Sequence, residues 1–154
     1  MCRRLNVVPP IETEDELRHE FLLTGIASGP AKPDEIDALE QTLGFKLPIA
    51  YRAYLRVCGT HPPAPLIGSD CTMGLIPSIN EWGDELVAEN NVSSKFPDKF
   101  FVYLMHQGYT FLWFPLDGSD DPPCYCYLEG DDDSKPASDK FSLWVRRLSW
   151  GSGT

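Results

Sequence analysis

Cys58, His61 and Cys71 are the first residues along the chain whose types could do chemistry together. Thiolates and an imidazole can hold zinc, and a thiol beside an imidazole can act as a nucleophile. The spacing argues for packing instead. Structural zinc uses paired close spacings, and here Cys58–His61 is the one such pair. Cys58 also falls on the apolar stripe of a helical pattern, where a free cysteine behaves as a small hydrophobe. Cys124 and Cys126 alternate along a strand pattern, share a face and read as core in the same way. No local signature joins His19, His61 or His106 to a cysteine. The chain has no G-x-S-x-G elbow, no phosphate-cradling glycine loop and no H-E-x-x-H. The expectation is a non-enzyme with no catalytic, metal or cofactor residues, and the alternative it outweighs is an enzyme using Cys58 or Cys71, or a zinc hydrolase.

The acidic runs are the other chemical feature. An EF-hand starting at Asp117 would need Gly at its sixth position and Glu at its twelfth, but the chain has Pro122 and Leu128 there. What remains is Asp117, Asp120 and Asp121 in one loop, and Glu129, Asp131, Asp132 and Asp133 in the next, at opposite ends of one strand pattern. Runs of this kind serve either as solvated turns or as a binding surface. With 23 acidic against 13 basic residues the formal net charge is −10. Such a surface repels nucleic acid and anionic lipid and attracts basic proteins. These seven carboxylates are the candidate contacts for a basic partner.

Five cysteines, an odd number without disulfide-framework spacing, point to reduced thiols and a cytoplasmic setting. The opening MCRRLNVVPP lacks the apolar core of a signal peptide, and no run approaches a membrane span. Cys2 beside Arg3 and Arg4 is an acylation candidate without a second anchoring signal.

These residues need elements to position them. At 154 residues, 42% of them hydrophobic, the chain suits one domain spanning 1–154. Thr13 and Glu16 have capping-box spacing ahead of Leu17, Phe21 and Leu22. After the breaker-rich GIASGPAKP, Pro33 opens a helix with Ile36, Leu39 and Leu43 on one stripe. Gly44 closes that helix in the left-handed region, with Phe45 folding back on Leu39, and Pro48 takes the first position of the next helix. Tyr51, Tyr54, Leu55 and Cys58 then face inward, and Gly59 ends the helix. HPPAPLIG is irregular, Cys71 to Ile76 suits a short strand, and Ser78 with Glu81 caps a helix carrying Trp82 and Leu86. FFVYLMH and YTFLWFPL flank Gln107–Gly108 as a hairpin, pairing Val102 with Trp113 and Leu104 with Phe111. Both of its faces are apolar, which places it centrally in a sheet. A third strand, CYCYLE, and a last helix with Phe141, Trp144, Val145 and Leu148 follow. Helices, then antiparallel strands, then a helix predict an α+β fold with a central, mostly antiparallel sheet and helices packed around it. Aromatic side chains left at the rim would suit a protein interface.

IDALEQTLGFKLPIAYRAYLRVCG carries a further signal. A helix with internal Glu40, then L-G-x-x-L-P at Leu43, Gly44, Leu47 and Pro48, then an aromatic helix with Tyr51, Tyr54 and Leu55, resembles the SUKH superfamily. The hairpin with Gly108 and Tyr109, the turn after FPLDGSD and the helix FSLWVRRL extend the likeness over residues 30 to 149. The N-terminal helix lies outside it, and Thr60 stands where a second glycine is often seen. The resemblance implies an α+β domain that acts by binding, with no catalytic residues to carry over. It suggests an immunity protein that neutralises a cognate toxin domain, in this family often a nuclease, or a eukaryotic regulatory interaction module.

Overall fold

The computed structural model describes residues 13–151; Cys2, Arg3 and Arg4 lie outside them. Helix α1, Glu14–Leu23, opens on the expected capping box: the Thr13 hydroxyl accepts the Glu16 amide, and the Glu16 carboxylate accepts the Thr13 amide. Its inward face is Leu17 and Phe21, whereas Leu22 is exposed. The linker that follows is tied to the end of the third helix: Ser28 and Gly29 amides donate to Val57 O, and the Ala31 amide donates to Leu55 O.

Helix α2, Pro33–Leu43, ends on Gly44 at φ +85°, the left-handed cap expected of it. Helix α3, Ile49–Cys58, follows at once. Pro48 is its N-cap rather than its first residue, because its extended ψ of 145° turns the chain into the helix axis. Phe45, the residue expected to fold back on Leu39, reaches the sheet. Its ring stands edge-on to Phe101, 6.2 Å between centroids, and stays partly exposed. Gly59 closes α3 in the right-handed region, so positive φ is not what requires glycine there. Space is: a Cβ would lie 2.4 Å from Leu55 O and 2.8 Å from Ala31 Cβ, where the linker crosses the helix end.

The segment expected as a strand at Cys71 to Ile76 is a 3-10 turn, Met73–Leu75, that runs straight into helix α4, Ile76–Glu89. Pro77 in the first turn starts that helix two residues ahead of the Ser78 cap read from the sequence. Ile79, Gly83 and Leu86 face inward, and Trp82 is turned out.

Four antiparallel strands form one sheet in the order β1-β2-β3-β4: Phe100–His106, Thr110–Pro115, Cys124–Leu128 and Lys135–Ser138. Val102 pairs with Trp113 as expected, but a bulge between Val102 and Leu104 shifts the rest, so Leu104 meets Leu112 and Met105 meets Phe111. The loop is accordingly three residues, with positive φ at Gln107 and Gly108. β4 carries no strand signal in its sequence, since KPAS offers neither length nor an apolar alternation. β1 is an edge strand, so the hairpin is not central. Its open margin is closed by the side-chain amide of Asn80, which accepts the Val102 N–H at 2.8 Å and donates to Val102 O at 2.9 Å. The single bridge Asp70–Met105 continues this protection. At the other margin Pro136 has no N–H to offer, and Arg147 donates to Ala137 O.

Both faces are covered, as the two-sided apolar pattern requires. On one, Phe101, Tyr103 and Phe114 meet Tyr51 and Tyr54 of α3 and Phe141 and Trp144 of helix α5, Phe141–Gly151. On the other, α4 packs on β1, and Phe96 lies against Phe111, Trp113 and Tyr127. The result is an α+β fold with an antiparallel sheet at its centre.

Candidate functional site

The thiols come together only as core. Cys58, Cys71 and Cys124 are buried, and the Cys58 thiol donates to Ile26 O at 3.3 Å. Burial pushes the Cys71 thiol up to about 11 and the Cys124 thiol up to about 12, away from the thiolate a nucleophile needs. His61 stays at the surface, its Nδ1 3.1 Å from Thr60 Oγ1. Among the described residues no group of three or more His, Cys, Asp or Glu side chains is placed to hold a metal ion. The hydroxyls of Tyr51, Tyr54 and Tyr103 are enclosed without a hydrogen-bond partner. Tyr54 lies toward the Cys71 thiol and Tyr103 toward that of Cys124, and a thiol is a weak partner.

The two acidic loops are built quite differently from each other. The first, between β2 and β3, sits across the N-termini of two helices. Its Asp120 carbonyl accepts the Ala50 amide of α3 at 2.9 Å. Its Asp121 carboxylate accepts the Ser142 amide of α5 at 2.8 Å and the Ser142 hydroxyl at 2.5 Å. The first-turn amides of a helix have no partners within it, and the helix dipole favours negative charge there. Asp121 is thereby committed to the fold. Asp117 turns its carboxylate back to the Ser119 amide at 3.0 Å and remains exposed.

The second loop joins β3 to β4, at the far end of β3 as the sequence indicated. The Tyr127 hydroxyl donates to Asp131 O at 2.8 Å, the Gly130 amide to Asn90 Oδ1 at 3.0 Å, and the Trp113 indole to Ser134 Oγ at 2.9 Å. Glu129, Asp132 and Asp133 point to solvent, and Asp131 is half-buried. The seven carboxylates thus form two separate patches.

The first patch has a neighbour that sequence reasoning missed. A groove of about 290 Å³ runs between the α2–α3 connection and this loop, lined by Phe45, Lys46, Pro48, Lys99, Asp117 and Asp120. Phe45 is its apolar lip. The available signal was the four-residue connection Phe45–Pro48, too short to turn every side chain inward.

The connection that lines one side of the groove is held by a buried carboxylate. Glu40 on α2, 6% exposed, accepts the Leu47 amide at 2.7 Å and pairs with Arg52 of α3 at 2.9 Å. One residue of the signature stretch therefore fixes both the helix pair and the loop between them.

The profile of the SMI1/KNR4 family (SUKH-1) matches residues 30–147, from the linker into α5. A search among curated proteins returned no match. No helix among the described residues is long and apolar enough to cross a membrane. Glu40, the Leu43–Pro48 turn, the aromatic α3 and the antiparallel sheet all fall within the matched span, and the chain belongs to the SMI1/KNR4 family (SUKH-1).

Proposed function

We propose that this chain is a non-catalytic binding protein, an immunity protein that neutralises a basic toxin domain by direct contact. The observation that carries the reading is that the carboxylate-bearing loops are held by main-chain and capping hydrogen bonds. Ala50 to Asp120 and Asp121 to Ser142 hold the first loop, and Tyr127 to Asp131 holds the second. Loops already in their bound shape lose little freedom on association. A net charge of −10 speeds encounter with a cationic partner such as a nuclease, whose substrate demands a basic surface. Contacts fall on Asp117 and Asp120 beside Phe45, with Glu129, Asp132 and Asp133 as a second acidic patch.

The partner is recovered by co-purification from the native host with mass spectrometry, and association is then followed by stopped flow. Asp117→Lys with Asp120→Lys should slow association at low salt by about tenfold, and the effect should shrink at high salt. Association as fast as that of the unmodified chain would remove this surface from the proposal. A second reading, a regulatory interaction module in a eukaryote, draws on the same family membership. A toxin gene beside this one favours immunity, and an isolated, intron-bearing gene favours regulation.

A further inference from the structure

In a chain of net charge −10, Arg52 and Arg56 of α3 and Arg146 of α5 gather around one face, the face that α1 covers. Glu14 pairs with Arg52 at 2.7 Å and with Arg56 at 3.1 Å, and Asp15 pairs with Arg56 at 2.6 Å. Glu20 pairs with Arg146 at 2.9 Å through Nη2. Between these rim pairs α1 sets Leu17 and Phe21 into the common core. Without α1, Leu17 and Phe21 would leave an apolar floor rimmed by the Arg56 and Arg146 guanidinium groups, with Arg52 beside them still paired to Asp37 and Glu40 of α2, a shape for an amphipathic helix with carboxylates on its flanks.

Three features favour release of α1 from this arrangement. It precedes the family-matched span of 30–147. It has ten residues, and helices shorter than about 12 to 15 residues are marginal on their own, so docking keeps it folded. The chain between its end and Ile26, whose carbonyl accepts the Cys58 thiol of α3, is short and contains Gly25 at φ +80°, a ready hinge.

We propose that α1 is a displaceable cover, and that the groove between α3 and α5 accepts an acidic amphipathic helix from a partner protein in its place. The occupant would carry the chemistry α1 displays: apolar residues four apart, as at Leu17 and Phe21, flanked by carboxylates, as at Glu14, Asp15 and Glu20. This site is opposite in charge to the acidic loops and stands independently of them.

Native-state hydrogen exchange on the unmodified chain tests the first half. Amides of Leu17 to Leu23 should exchange at least tenfold faster than those of β1 and β2, through an opening insensitive to low denaturant. Exchange of α1 only with global unfolding would overturn the proposal. The second half uses the full chain carrying Glu14→Lys, Asp15→Lys and Glu20→Lys, titrated with a fluorescent peptide of residues 13 to 24. The charge-reversed chain should bind this peptide at least tenfold more tightly than the unmodified chain does, and adding Arg56→Glu should abolish the gain. Equal binding by both chains would overturn the docking claim. If the triple variant does not fold, Phe21→Ala opens the same cover and is read in the same titration.

Discussion

The Glu40 carboxylate and the Leu47 amide meet at 2.7 Å across the turn between α2 and α3, buried from solvent. This contact explains why a carboxylate sits inside an otherwise apolar helix pair. It accepts the one amide that the tight turn leaves facing inward, and Arg52 balances its charge. Glu40→Ala leaves that amide unsatisfied and the guanidinium short of a partner. It should cost about 3 kcal/mol in urea unfolding. Glu40→Gln, which can still accept the amide, should cost less. An alanine variant as stable as the unmodified chain would show that the turn does not depend on this pair.

Asp121 and its neighbours should separate cleanly. Asp121→Ala removes the cap on the first turn of α5 and should lower stability by about 1 to 2 kcal/mol. Asp117→Ala and Asp120→Ala should stay within about 0.5 kcal/mol, since their side chains are not committed in that way. Differential unfolding of the three variants checks this, and equal losses would contradict the assignment of Asp121 to the fold.

The two glycines around α3 act for different reasons, and alanine distinguishes them. Gly44→Ala faces open space but must hold φ +85°, at a cost of about 1 kcal/mol. Gly59→Ala has ordinary φ but drives a methyl against Leu55 O and Ala31, and should cost more, about 2 to 3 kcal/mol. Thermal unfolding would reverse this interpretation if Gly44→Ala proved the more damaging.

Stability should fall above pH 9. Burial raises the folded-state values of Cys71 to about 11 and of Cys124 to about 12. Between the unfolded value and these values the unfolded chain has released thiol protons that the folded chain still holds. The contribution is therefore complete below the unfolded value and is lost as pH rises through the folded one. The urea midpoint should decline between pH 9 and pH 11, and Cys124→Ala should make the decline shallower. A midpoint unchanged over that range would contradict the burial of these thiols.

Much of the scaffold was legible because its signals are local. The Thr13–Glu16 box, the Gly44 cap and the stripe Phe141, Val145, Leu148 each act within one or two turns, and each is where the sequence places it. Misses came where distant partners decide. Asp70 and Met105 form one bridge in place of a strand at Cys71 to Ile76, because Pro77 starts α4 so early. The bulge at Val102 coincides with the two hydrogen bonds that Val102 exchanges with Asn80, 22 residues away. β4 exists because β3 offers it a register, not because KPAS favours a strand. Among the acidic residues, composition could mark the loops but could not separate Asp121, whose partner Ser142 lies 21 residues on, from Asp117 and Asp120. The three arginines under α1 were equally hidden, since they converge only after α1 and α5 pack on α3.

The bond from the Ala50 amide to Asp120 uses the main-chain oxygen, which every amino acid possesses. The side chain at 120 can therefore change identity while the loop keeps its seat on α3, with Asp121 holding the far end to α5. The chemistry displayed at this rim can diverge from one lineage to the next by substitution there, with no renegotiation of the fold beneath it.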